Sequence, residues 1–237
     1  LLVFSINLAQ SLRRRSFWFT LALAGVAIAV GSFLINPFSK VIPDPVVDTA
    51  LVSSPNNGTE RAIFAGGCFW GLEAMFEEVQ GVTDVRTGYS GGTEATANYA
   101  RVSGGGTDHA ESIEIVYDPA QVSYGELLKI FFSVGHDPTQ VNRQGVDQGR
   151  QYRSAVFATT PEQKQVAQAY IDQLEESQTF DQAIATEVND FDAFYPAEDY
   201  HQDFVQRNPA HPYVLVHDLP KLRKFRQQYN DKLKTQS

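Results

Sequence analysis

Residues 61–79 read Arg-Ala-Ile-Phe-Ala-Gly-Gly-Cys-Phe-Trp-Gly-Leu-Glu-Ala-Met-Phe-Glu-Glu-Val. Arg61–Ala65 reads as a short strand, and Cys68–Val79 reads as a helix. Leu72, Met75, Phe76 and Val79 recur at the spacing of one buried helical side. Gly66 and Gly67 lie between the two elements and permit a tight turn without side-chain clash. Downstream, Val82–Tyr89 reads as a strand. Glu111–Tyr117 alternates Ile113, Ile115 and Tyr117, a second strand signal. Ser123–Val134 carries Leu127, Leu128, Phe131 and Phe132 at helical spacing, and Arg153–Ala158 is a further apolar strand. The order βαββαβ predicts an α+β, ferredoxin-like sandwich. Residues 90–110 and 135–151 read as long loops between core elements, where functional sites are commonly built. A helix over Pro161–Ser177, a strand near Ile184–Val188 and a basic helix over Leu219–Lys234 extend the core.

The N-terminal residues differ in kind. Arg13, Arg14 and Arg15 precede an uncharged run from Ser16 to Ser39. Phe17–Ile35 is apolar apart from Thr20, Gly25, Gly31 and Ser32, long enough to cross a bilayer and without a polar face. We therefore expect a membrane-targeting segment over 1–36, signal or retained anchor, with the N-terminus cytoplasmic and the main domain exported. Without use of that segment, the domain would be cytoplasmic. Pro37, Pro43, Pro45, Pro55 and Gly58 mark 37–60 as a linker. The globular domain is expected over 61–237.

The 237 residues carry 19 Lys+Arg against 28 Asp+Glu, a formal charge of −9. That balance speaks against a nucleic-acid partner, which needs a basic face. One cysteine, Cys68, excludes an internal disulfide and a cysteine-rich metal site. The five histidines show no H-x-x-x-H spacing, so no metal is expected. Cys68 opens a helix, where unpaired N–H groups and the positive end of the dipole favour thiolate. This predicts a lowered pKa and a nucleophile. The alternative is a small buried apolar residue. A cysteine hydrolase using Cys68 with His201, about 130 residues downstream, is a second reading, although Ala65 stands where a papain-type signature needs cysteine.

Several stretches together resemble the type A peptide methionine sulfoxide reductases. They are Gly67-Cys68-Phe69-Trp70-Gly71, Val85–Gly92, His109-Ala110-Glu111, Phe131–Thr139, Asn142–Gly149, Gln151–Ser154 and Tyr195–Gln202. They follow in the family's order and cover roughly 61–217. The resemblance implies reduction of methionine S-sulfoxide, free or in oxidised proteins, as repair of oxidative damage. It implies Cys68 as nucleophile and Glu111 as proton donor, with burial raising its pKa toward neutrality. Tyr99 and Tyr152 would hold the oxygen, and Asp147 would orient the donor network. Phe69 and Trp70 would receive the methyl group. No bound cofactor is implied. The sulfenic acid left on Cys68 would need an external thiol: thioredoxin, glutaredoxin or a small thiol. The tail Asp218–Ser237 lacks the resolving cysteines that many members carry.

Overall fold

A computed structural model describes residues 42–49 and 58–235. The expected membrane-targeting segment over 1–36 lies outside them. Among the described residues, no helix is long and apolar enough to cross a membrane.

The chain folds as mixed α+β. Strands β1 (Glu60–Gly66), β2 (Val82–Ser90), β3 (Ala110–Tyr117), β6 (Ser154–Ala158), β7 (Glu187–Asp190) and β8 (Phe194–Pro196) form a sheet in the order β7-β6-β1-β3-β2-β8. All pairs are antiparallel except β6–β7. Strands β4 (Arg143–Gln144) and β5 (Asp147–Gln148) form a separate small hairpin. The helices are α1 (Phe69–Phe76), α2 (Tyr99–Val102), α3 (Tyr124–Ile130), α4 (Pro161–Glu176), α5 (Phe204–Arg207) and α6 (Leu219–Gln228). Leu72, Met75 and Phe76 of α1 are buried in a core with Ile113, Ile115, Leu127, Leu128 and Phe131. Phe64 of β1 stacks on Phe131 at 4.8 Å and touches Phe76 and Tyr124. Burying each such side chain contributes about 1.5–3 kcal/mol.

Several expected boundaries shift for local reasons. The first of the two loops contains a 3-10 turn at Glu94–Thr96 and helix α2, capped by the Asn98 side chain accepting from the Arg101 N–H. The second contains β4 and β5. Helix α3 begins after Ser123, whose side chain forms a capping box with Glu126, and its last turn widens to a π turn over Phe131–Gly135. The strand expected near Ile184–Val188 begins at Glu187. Before it, the Ile184 N–H goes to Glu175 and the Ala185 N–H to the Pro138 carbonyl, so these donors are diverted from the sheet. The C-terminal helix stops at Gln228. Buried Tyr229 leaves helical geometry, its hydroxyl meets Ser133 at 2.6 Å, and Leu233 bridges back to Val79.

Part of the stretch read as a linker lies on the domain. Ile42 is buried, the Tyr170 hydroxyl donates to the Pro43 carbonyl at 2.7 Å, and Asp44 pairs with Lys129. The Asp48 carboxylate accepts from the Ser123 hydroxyl at 2.5 Å and the Gly125 N–H at 2.7 Å, at the start of α3.

Candidate active site

Cys68 is the N-cap residue of α1, half-buried, and its own side chain makes no capping hydrogen bond. Gly67 before it sits at φ +91°, and a Cβ there would lie 2.6 Å from the Gln144 side chain. Gln144 is fixed in turn through both its amide groups to the backbone of Asp137. The loop over 136–144 thus closes directly on the turn that presents the thiol, and only glycine admits it.

Glu111 enters from β3. It is 2% exposed, and its Oε2 accepts the Phe69 N–H at 3.2 Å, the first free donor of α1. Burial raises its pKa to about 8, with Asp147 adding to the effect and the Phe69 N–H opposing it. Glu111 therefore holds a proton at neutral pH, as its proposed role requires.

The expected lowering of the Cys68 pKa is not what the structure gives. Burial holds the thiol well above its ordinary value, and the neighbouring carboxyls of Glu111, Asp218 and Asp147 add to this, Glu111 only where it ionises. The Trp70 N–H pulls the other way and does not prevail. The helix end does favour thiolate, but desolvation and three nearby carboxyls outweigh it.

Tyr99, Tyr152 and Asp147 gather around the same point. Tyr99 opens α2, anchored by its N–H to Glu198 Oε1 at 2.9 Å, while the Tyr89 hydroxyl holds the other Glu198 oxygen at 2.9 Å. Tyr152 ends the 3-10 turn Arg150–Tyr152. Burial raises both phenols, and each also feels Glu111, Cys68 and Asp147. Both are half-buried proton donors at neutral pH. Asp147 lies on β5 and accepts a hydrogen bond from the Tyr213 hydroxyl. Phe69 is fully buried against Tyr89 and His201, whereas Trp70 is half-buried. The Trp70 indole stacks on Phe204 at 3.7 Å and meets Tyr213 edge-on.

His201 does not serve Cys68. Its Nδ1 accepts from Trp70 Nε1 at 3.0 Å, and its Nε2 has no hydrogen-bond partner. The base-to-nucleophile hydrogen bond that a cysteine hydrolase needs is missing, and that reading has no support here. Tyr213 and Asp218 belong to the neighbourhood and carried no local sequence signal, whereas Glu198 lies in the family-like stretch Tyr195–Gln202 but was given no role there. Among the described residues, no group of three or more His, Cys, Asp or Glu is placed to hold a metal ion.

A soft nucleophile beside a protonated carboxyl suits an electrophile that must surrender an oxygen, which places the chain among the thiol oxidoreductases. Comparison with known proteins narrows the class. The model of the peptide methionine sulfoxide reductase family matches residues 60–233, and the chain belongs to that family. It is 92% identical over 213 residues to a peptide methionine sulfoxide reductase of Synechocystis, covering 90% of this chain and all of that one. A homologue from Deinococcus radiodurans is 47% identical over 182 residues, 77% of this chain and 88% of that one. Among solved structures, the methionine sulfoxide reductase A of Corynebacterium diphtheriae matches with a TM-score of 0.57 at 32% identity, over 75% of this chain and 92% of that one. Reduced Mxr1 of Saccharomyces cerevisiae matches with a TM-score of 0.59 at 34% identity, over 67% and 90%.

Proposed function

We propose that the chain reduces methionine S-sulfoxide, free or in proteins, by direct attack of Cys68 on the sulfoxide. The thiol loses its proton, Glu111 protonates the sulfoxide oxygen, and that oxygen transfers to Cys68. Cys68–SH and R₂S=O become Cys68–S–OH and R₂S, a two-electron exchange in which Glu111 recovers a proton at the end. Tyr99 and Tyr152 donate to the oxygen, Asp147 keeps the donor set oriented, and Phe69 and Trp70 form the apolar wall for the methyl group. The carrying observation is the buried Glu111 carboxyl, raised to about 8, bonded to the backbone of the helix that begins at Cys68. We read the core β1-α1-β2-β3-α3-β6 as a ferredoxin-like unit, supported by its antiparallel strand order β6-β1-β3-β2.

The sulfenic acid is returned to thiol by an external thiol: thioredoxin, glutaredoxin or a small molecule. Support comes from the single cysteine of this chain, which leaves no internal partner. Export of the domain, by a signal or a retained anchor, is supported by the arginine–apolar–proline order of 13–45. The test of function is incubation with dithiothreitol and a racemic sulfoxide peptide. Conversion that halts with one epimer consumed is expected. Peptide cleavage, or consumption of neither epimer, refutes the assignment.

A further inference from the structure

The positive end of α1 is shared. Its Phe69 N–H serves Glu111, and Cys68 stands at the N-cap. A third acidic group reaches the same turn from the far end of the sequence. Asp218 closes the π turn Val214–Asp218 and is 2% exposed. Its Oδ1 lies against Gly71, three residues after Cys68, so closely that a Cβ on Gly71 would fall 2.4 Å from it. Its Oδ2 is buried without a hydrogen-bond partner. Such a group is costly to keep, and buried unsatisfied polar atoms in a cleft commonly mark function.

The proposed chemistry uses Cys68 and Glu111 and leaves Asp218 without a task. We propose that Asp218 is a positioning residue that holds the proton on Cys68 in the resting enzyme. Its carboxylate competes with the thiolate for the positive end of α1, so that Cys68 is slow to react with anything but a sulfoxide seated on Glu111. This inference rests on Cys68 being the nucleophile.

The groups around the pair are few. Cys68 feels Glu111, Asp218 and Asp147. Asp218 feels Asp147, which opposes its ionisation, and Lys221 of its own helix, which favours it. Tyr213, joined to Asp147, lies close to Cys68 and Asp218 alike. Burial raises Asp218 only to about 6, so it is ionised at neutral pH, whereas Glu111 is not. Of the two carboxyls packed against the first turn of α1, Asp218 is thus the one that carries resting charge. The reaction it restrains is oxidation by peroxide. There the thiolate sulfur displaces hydroxide from hydrogen peroxide, giving Cys68–S–OH and OH⁻.

The test replaces Asp218 by Asn and, separately, by Leu, in the full chain. Iodoacetamide alkylation of Cys68 is followed against pH, and oxidation by hydrogen peroxide is followed at pH 7. Removing one like charge lowers the alkylation inflection by about one pH unit, so both rates at pH 7 rise about tenfold. The folded state keeps or gains stability in urea, because a buried charge is replaced by a neutral group of similar size. An unchanged inflection in a folded variant overturns the proposal. So does failure of both variants to fold, which would make Asp218 a structural group. Neither readout uses turnover of sulfoxide, so the restraint on Cys68 and the sulfoxide reductase assignment fail or stand separately.

Discussion

Replacing Glu111 by Gln separates proton delivery from hydrogen bonding. The amide keeps the size and can still donate, but it cannot give up a proton at neutral pH. Loss of general acid catalysis typically slows a reaction about 10²–10⁴-fold, or about 2.7–5.5 kcal/mol of barrier. The structure also fixes the shape of the pH dependence. Glu111 titrates near 8 and Cys68 above its ordinary value, so the reactive state, acid protonated and thiol ionised, is a minor one. The wild-type single-turnover rate at low sulfoxide concentration therefore climbs with pH, then flattens near 8 as Glu111 loses its proton while the thiolate is still increasing. The two groups interact, so the inflections belong to the pair. In Glu111→Gln the plateau near 8 disappears, and the slower rate keeps climbing until Cys68 itself has ionised. Stability moves in a definite sense too. A carboxyl raised from 4.5 to about 8 binds more protons folded than unfolded, so wild-type stability falls as pH rises through that window. The fall is at most about 5 kcal/mol at 1.36 kcal/mol per pH unit. The Gln variant lacks it and becomes the more stable protein above pH 8. Rapid-quench turnover from pH 6 to 10, with urea unfolding at pH 5 and 9, measures both. A variant that keeps the plateau near 8, or reacts within a few-fold of wild type, would refute Glu111 as the acid.

Cys68→Ser abolishes sulfoxide reduction. Reduced wild-type protein given excess sulfoxide and no reductant yields one methionine per chain, a mass gain of one oxygen and a dimedone adduct, by mass spectrometry; a covalent dimer as main product would refute an external resolving thiol. His201→Leu strips the acceptor from the Trp70 indole and raises KM about tenfold with little change in kcat, in line with one buried donor left unpaired. His201→Asn restores KM, because its side-chain oxygen takes the place of Nδ1; equal KM values in the two variants would count against a positioning role. Asp48→Ala removes the acceptor at the start of α3 and costs about 1 kcal/mol, visible as a Tm lower by about 2–4 °C. An unchanged Tm would mean that residues 42–49 do not stabilise the domain.

Periodicity made the core legible. Leu72, Met75 and Phe76 lie on the buried side read for the first helix, which ends at Phe76 rather than Val79, and Ile113, Ile115 and Tyr117 are fully buried on the strand read for them. The glycine turn was equally local, and Gly67 has the positive φ that the reading asks of it. What escaped was set by distant residues. Strand β8 has three residues, one of them proline, too few for any alternation to register. The ionisation of Cys68 was read from its own helix, where every local feature favours thiolate. The groups that reverse the sign stand at Glu111, Asp147 and Asp218, brought in by a strand, a hairpin and a π turn. His201 was singled out as a base from sequence distance alone. Its actual partner, Trp70, is 131 residues away, and the bond between them is made by tertiary packing.

The acidic surroundings of Cys68 make sense in terms of what the sulfur becomes. A thiolate is disfavoured there, yet a small fraction suffices once Glu111 has protonated the sulfoxide oxygen and made its sulfur electrophilic. The product, a sulfenic acid, is neutral when protonated, so the carboxyls that oppose the thiolate do not oppose it. The next oxidation does meet them. It proceeds through the sulfenate anion and ends in a sulfinate, both negative. With one cysteine in the chain, the sulfenic acid waits for an external thiol, and over-oxidation is the hazard of that wait. Asp147 and Asp218 therefore raise the cost of the states that lead to loss of the enzyme more than the cost of the neutral product. By the same electrostatics, Asp218→Asn accumulates more sulfinic acid per turnover at a fixed peroxide concentration. The intact mass of Cys68 peptides after limited peroxide exposure reads that ratio directly, and a ratio equal to wild type would remove Asp218 from the protection of the intermediate.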